Sequence, residues 1–352
     1  AVSVSTPDDN HAIQTLAAMQ RGKHVYVQKP LTHDIYEARM LTTGATKYKV
    51  VTQMGNQGAS GDGVRQMREW YDEGQIGQVN EVFVWTDRPV WPQGIPWPSK
   101  PSPIPSHLDW DLWLGTAPQK DYVNKLVPFN WRGWWDYGTG ALGDMGCHLI
   151  EPAFSVLQLG YPEAVQASVG SVYVDEFKRG YFPESCPPSS HVIFDFIVKE
   201  KKIKLHWMDG GIQPMRPDEL GPNEIMGDGG NGVLIKGTTG SMMCGTYGAN
   251  PQLIPTERTA ETEARRKYDR VPEGHYHQWV NACLAGYGNK KCSSDFSVAG
   301  PLTETILMGN LAIRSHDIRA AGSDDRITYP GRTIKLLWDG GHMRVTNFDD
   351  AT

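Results

Sequence analysis

The chain has 352 residues, enough for two domains with separate cores, and its 39% hydrophobic and 21% charged content is that of a folded globular protein. A formal net charge of -6 argues against a nucleic-acid surface, which needs clustered Lys and Arg, and no run of 18 apolar residues suggests a membrane span. The five cysteines are far apart, with neither CxxC nor zinc spacing, so no disulfide framework or structural metal is expected.

The chain opens on an apolar run, Ala1 to Ser5, that reads as a buried strand, with a turn at Thr6-Pro7-Asp8-Asp9. Helical spacing follows from His11 to Arg21, stopped by Gly22. His24 to Val27 is a second strand closed by Gln28-Lys29-Pro30. Asp34 caps a helix from Ile35 to Lys47, and Val50 to Gln53 is a third strand. Strand and helix alternate from the first residue, which predicts part of a nucleotide-binding parallel sheet whose opening strands and phosphate loop would lie upstream of Ala1.

After a turn at Gly55 to Gly58, Gly63 to Glu73 is helical and Val79 to Trp85 alternates like a strand, marking entry to a second domain. Seven prolines between Pro89 and Pro105 exclude helix and central strand there. Eight of the 12 tryptophans fall between Trp85 and Trp135; they read either as staples for this proline-rich loop or as a sugar-stacking surface. A helix is expected from His148 to Leu159. Strands then follow at 164–174, 191–198, 202–208, 232–237 and 241–246, a run that reads as an antiparallel sheet. Helices at 275–285 and 298–320 and a strand at 333–338 complete the chain. The expected division is 1–78, part of a Rossmann domain; 79–330, an α+β domain carrying the Pro/Trp-rich loop 89–135; and 331–352, a strand and tail.

The pattern GxGxxG occurs once, at Gly227 to Gly232, but a polar loop precedes it and a strand follows. It therefore reads as a turn rather than a phosphate loop. Two segments carry groups suited to proton transfer. Lys29 ends a strand of the parallel sheet and precedes Pro30, so it should point into the crevice where ligands of open α/β sheets bind. Asp144 and His148 are four apart on one helical face, where His148 suits acid-base work and Asp144 can orient it or hold substrate hydroxyls; a cap and a satisfied histidine are the plainer alternative. A metal site would need Glu151 and His191 as further ligands, and nothing fixes their separation, so no metal is expected.

These segments together resemble the glucose-fructose oxidoreductase and inositol dehydrogenase family (Gfo/Idh/MocA), and particularly its longer bacterial branch acting on sugars and glycosides. The resemblance rests on Thr6-Pro7 to His11, Gln28-Lys29-Pro30 in place of an EKP motif, Trp131-Arg132, and Asp144-Met145-Gly146-Cys147-His148. It implies a Rossmann domain binding NAD or NADP and a C-terminal domain whose large, open, mostly antiparallel sheet forms homodimers or homotetramers. It further implies Lys29, Asp144 and His148 around the reacting carbon. Thr6, Pro7, Asn10, His11, Gln28, Pro30, Asn56, Trp131 and Arg132 would line the cofactor. The implied activity is hydride transfer between nicotinamide and a hydroxyl-bearing carbon of a sugar or glycoside. A glycoside hydrolase working by transient oxidation, elimination and water addition needs the same residues, and Gln28 motivates a third reading, a sugar-binding relative without catalysis. No nucleic-acid or membrane partner is expected, and compartment stays open between cytoplasm and periplasm.

Overall fold

The computed structural model describes residues 1–262, 265–322 and 326–351; Thr352, the end of the expected tail, lies outside them. Strands β1 (Val2–Val4), β2 (Val25–Val27) and β3 (Thr52–Met54) form a parallel sheet in the order β1-β2-β3. Helices α1 (His11–Gln20) and α2 (Ile35–Lys47) make the crossovers, as the alternation predicts. The Asp34 carboxylate accepts from Glu37 N at 2.8 Å and the Glu37 carboxylate accepts from Asp34 N at 3.2 Å, a capping box that fixes where α2 begins. All of β2 is buried, as expected of the middle strand of a parallel sheet.

Helix α3 (Asp62–Asp72) leads to β4 (Val79–Trp85), the short helix α4 (Trp110–Leu114) and the long helix α5 (Gly140–Leu157). The strands that follow are β5 (Ala164–Val169), β6 (Tyr173–Asp175), β7 (Lys178–Arg179), β8 (Ser190–Val198), β9 (Lys201–Met208), β10 (Gly232–Gly237), β11 (Ser241–Cys244) and β12 (Gln252–Ile254). Helices α6 (Glu257–Glu261), α7 (Gly274–Ala285) and α8 (Phe296–Ser315) and strands β13 (Ala320–Ala321), β14 (Ile327–Thr328), β15 (Leu336–Asp339) and β16 (Arg344–Val345) complete the fold. Nine strands form one sheet, ordered β12-β11-β10-β4-β9-β8-β5-β15-β16, in which only β4 and β9 run parallel. The fold is thus α/β: a parallel sheet followed by a large, mostly antiparallel one.

Alternation decides which face of the large sheet is buried. Val192, Phe194 and Phe196 of β8 and Ile203, Leu205 and Trp207 of β9 join the core under α5 and α8. His191, Ile193, His206 and Phe83 point the other way and are only partly buried. Helix α8 also packs on α2, and Met54 N donates to Ser294 O, so the late helices lie over the open side of β3.

Several boundaries depart from the sequence reading. Helix α5 begins at Gly140, two turns before the expected His148, because its glycines serve close packing rather than a loop. A Cβ on Gly146 would sit 3.2 Å from Ile306 Cδ1, and one on Gly309 of α8 would meet Leu142 Cδ2 at 2.5 Å and Phe194 Cζ at 2.7 Å. The strand expected over 164–174 breaks at Gly170, whose N–H turns to Ser189 O. The helix expected to reach Ala320 ends at Ser315, and the last strand starts at Leu336 because Pro330–Thr333 forms a 3-10 turn. Gly227 to Asn231 is a turn into β10, closed by Asp228 N to Asn231 O at 2.9 Å, as its context predicts.

The Pro/Trp-rich excursion has a small core of its own. Trp110, Trp131, Trp134, Tyr122 and Tyr137 are buried together there, with Trp97 and Trp113 partly buried against them, so the stapling role accounts for most of these rings.

Candidate active site

Three loops leave the carboxyl ends of the parallel strands side by side: Ser5 to Asp9 after β1, Gln28 to Pro30 after β2, and Gly55 to Ser60 after β3. Strands that run parallel bring their ends to one edge of the sheet, and there the crevice opens. Helix α5 meets this edge with the face carrying Asp144 and His148.

Lys29 Nζ donates to Asp144 Oδ1 at 2.5 Å and to the Asp144 carbonyl oxygen at 2.8 Å. Two of its three N–H donors are thereby used and one remains. Arg132 Nε approaches the same Oδ1 at 3.2 Å, and the guanidinium packs over the Trp131 and Phe129 rings at 4.4 and 4.5 Å. Burial of Asp144 disfavours its charge, but Lys29, then Arg132, outweigh that and hold its carboxyl below the usual range. Asp144 lies inside α5, one turn past its N-cap Thr139, and is not its cap.

His148, one turn on, is buried and pushed down to about 3, first by burial and then by the Lys29 charge, so its ring is neutral at physiological pH. Its ring meets Tyr247 edge-on at 4.7 Å, and Nδ1 is buried without a hydrogen-bond partner among the described residues. Tyr247 was not legible in the sequence, because it comes from a loop after β11 and follows no motif.

The His11 ring bridges the loops after β1 and β2, with Nδ1 2.7 Å from Pro30 O and Nε2 2.9 Å from Thr6 O. Burial pushes it down to about 4 despite these two carbonyls. The Asn10 amide reaches the other way, to the carbonyls of Trp113 and Leu114 and to Thr116 N, tying the β1 loop to the Trp-rich lobe. Both residues reinforce the crevice wall from behind.

Gln28 N donates to Val4 O at 3.0 Å, and Gly55 is pressed so close that a Cβ there would collide with the Gln28 amide. Trp131 is buried, with Nε1 donating to Pro128 O at 3.1 Å.

Two further polar groups were missed from sequence. Asp8 is buried, accepts from Thr139 Oγ1 at 2.7 Å, and is pushed up to about 6 by burial against the opposing fields of Lys29 and His33. Only its place beside Thr6-Pro7 could have flagged it. Thr139 precedes α5 in a glycine-rich stretch that reads as loop.

Asn56 bears on whether a dinucleotide fits. It is 1% exposed at the end of β3, and neither Oδ1 nor Nδ2 has a partner among the described residues. A buried amide with both ends unpaired is costly unless a ligand completes it, and a nicotinamide carboxamide offers the matching donor and acceptor. No cluster of His, Cys, Asp and Glu among the described residues is arranged to hold a metal.

The carboxyl edge of a parallel sheet, where a lysine, a carboxylate and a neutral imidazole converge, is where open α/β proteins bind their ligands. Residues 1–56 match the family model described as "Oxidoreductase family, NAD-binding Rossmann fold", and residues 80–174 match its companion, "Oxidoreductase family, C-terminal alpha/beta domain". Over these two segments the chain is similar to this family, that of glucose-fructose oxidoreductase and inositol dehydrogenase (Gfo/Idh/MocA), and the segment carrying the parallel sheet is the one that matches its NAD-binding Rossmann domain.

Among curated relatives, 1,5-anhydro-D-fructose reductase of Ensifer adhaerens is 38% identical over 78 residues, covering 22% of this chain and 23% of that protein. The scyllo-inositol 2-dehydrogenase (NADP(+)) of Bacillus subtilis (strain 168) is 24% identical over 168 residues, covering 48% and 37%. The matches thus span about a quarter and somewhat over a third of these relatives. A levoglucosan dehydrogenase solved with NADH and L-sorbose superposes with a TM-score of 0.54 at 16% identity, covering 89% of this chain and 78% of that one, a likeness of fold.

Proposed function

We propose that this protein is an NAD- or NADP-dependent oxidoreductase acting on a hydroxyl-bearing carbon of a sugar or glycoside. The observation that carries the reading is the bridge from Lys29 to Asp144 at 2.5 Å, with His148 one helical turn away, at the carboxyl edge of the Rossmann sheet. The relatives' names, a sugar reductase and an inositol dehydrogenase, support the same chemistry.

A nicotinamide, when bound, would supply or accept hydride. Asn56, Thr6, Pro7 and Gln28 would hold its carboxamide side, with His11 and Pro30 fixing the loops. Trp131 and Arg132 would close the opposite wall. The remaining N–H of Lys29 points a donor at the substrate oxygen and stabilises negative charge developing there. The neutral His148 imidazole takes the hydroxyl proton during oxidation and returns it during reduction, while Asp144 favours the transient imidazolium and keeps Lys29 in place. The half-buried outer face of the large sheet, with Phe83, Ile193 and His206, is the surface we assign to a homodimer or homotetramer; light scattering would give the mass.

The test is incubation of the purified protein with NAD or NADP and a panel of sugars, polyols and aryl glycosides, following reduced cofactor and released aglycone together. Net reduced cofactor supports the reading. Aglycone release without it would replace the reading by a redox-assisted hydrolase, and neither product would leave a binding protein.

A further inference from the structure

Two cavities lie away from Lys29, on either side of a partition made by Trp135 and Arg314. One, of about 390 Å³, is lined by Tyr181 and Phe182; the other, of about 450 Å³, by Tyr36, Trp338 and Asn310. Trp135, Leu311, Arg314 and Ala351 line both, so the two adjoin along α8, and we treat them as halves of one groove. None of Lys29, Asp144 and His148 lines either half.

We infer that this groove is a second binding site, for a neutral oligosaccharide, distinct from the crevice where the redox chemistry is placed and adjoining it at Thr139. Its composition selects that chemistry. The fully charged residues lining the two halves are Arg179, Arg314 and Arg344 against Asp34, Asp317 and Asp350, three of each sign, with His33 and His342 beside them, so no strong net charge selects an anion or cation. Aromatic rings line both halves, and the C–H face of a pyranose packs on such rings while its hydroxyls seek polar groups at the edge. Those polar groups are present and unsaturated. Asn310 is 6% exposed and gives Nδ2 to Thr139 O at 2.9 Å, while its Oδ1 is buried without a partner among the described residues. The Arg314 side chain forms no ion pair or hydrogen bond among the described residues, and its guanidinium stays 5.6 Å from the Trp135 ring centroid. A buried acceptor and an unpaired planar donor, flanked by indoles, suit hydroxyl groups. Each half accommodates a sugar unit, so a chain of at least two units is needed to pass the partition.

The experiment is calorimetric titration of the whole protein with maltotriose, cellotriose and laminaritriose, with glucose as control. A trisaccharide should bind more tightly than glucose by at least about tenfold. The affinity should fall by about tenfold or more in Trp135→Ala and in Arg314→Ala, the latter exposed enough to leave folding intact, and stay unchanged in Lys29→Met. Absence of binding by all three trisaccharides, equal binding in both groove variants, or loss of binding in Lys29→Met would overturn the proposal. Because Lys29→Met addresses turnover and Arg314→Ala addresses the groove, failure of one reading is distinguishable from failure of the other.

Discussion

Replacing Lys29 by Met tests the site in two ways. Methionine keeps much of the stem but removes the ammonium, so Asp144 loses bonds of 2.5 and 2.8 Å and keeps only Arg132, at 3.2 Å. The two side chains are 17% and 15% exposed, so water repairs little of the loss. Removing one partner of a buried pair costs about 3–5 kcal/mol, and the surviving Arg132 contact brings the expectation to about 2–3 kcal/mol. The sign with pH follows from Asp144, whose native carboxyl is held below its usual value. The pair's contribution is present above the ordinary carboxylate range and is lost as pH falls through the lowered native value. Urea unfolding of Lys29→Met and the parent should therefore differ at neutral pH and converge in acid. Turnover should fall by about 10²–10⁴, the usual worth of a positioned proton-transfer or charge-stabilising group. Equal turnover in the two proteins would refute the catalytic assignment, and equal stability at neutral pH would refute the buried pair.

Three further outcomes are expected. His148→Asn should lower turnover by about 10²-fold or more while leaving reduced-cofactor binding, read by fluorescence, unchanged. With native His148 near 3 against an ordinary value of 6.5, the unfolded chain binds more protons across that window. Stability therefore declines as pH falls through it, and His148→Asn should flatten that decline. Glu69, buried and held at about 2 chiefly by Arg270, also accepts from the backbone of Lys267 and Tyr268. Glu69→Gln should cost about 3 kcal/mol and open residues 265–270 to limited proteolysis. Gly309→Ala places a methyl against Leu142 and Phe194 where α5 crosses α8, and should lower stability by about 1–3 kcal/mol in thermal unfolding.

Much of the fold was legible because its signals are local. Period-two alternation marked β4, and Asp34 announced the start of α2. The first half of α5 was not legible, since Gly140, Gly143 and Gly146 carry low helix propensity, and only their close neighbours, Cys186, Thr139 and Ile306 of α8 respectively, explain them. In the site, Lys29, Asp144 and His148 stood out because strand ends and i,i+4 spacing are readable from sequence. Asp8, Thr139 and Tyr247 did not, because their roles depend on contacts between segments far apart in the chain, 131 residues in the case of Asp8 and Thr139. Asn10 and His11 were expected beside the cofactor only through the family resemblance, and their bonds to the Trp-rich lobe and to the Pro30 loop emerge only from the tertiary structure.

The central claim is hydride transfer between a sugar carbon and the nicotinamide beside Lys29 and His148. The most direct measurement uses a sugar deuterated at every carbon, chosen from those turned over in the panel, and mass spectrometry of the reduced cofactor. The account predicts one deuterium at nicotinamide C4, formed by the parent and sharply reduced in Lys29→Met and His148→Asn. Reduced cofactor without deuterium, or no reduced cofactor with any sugar of the panel, would contradict it.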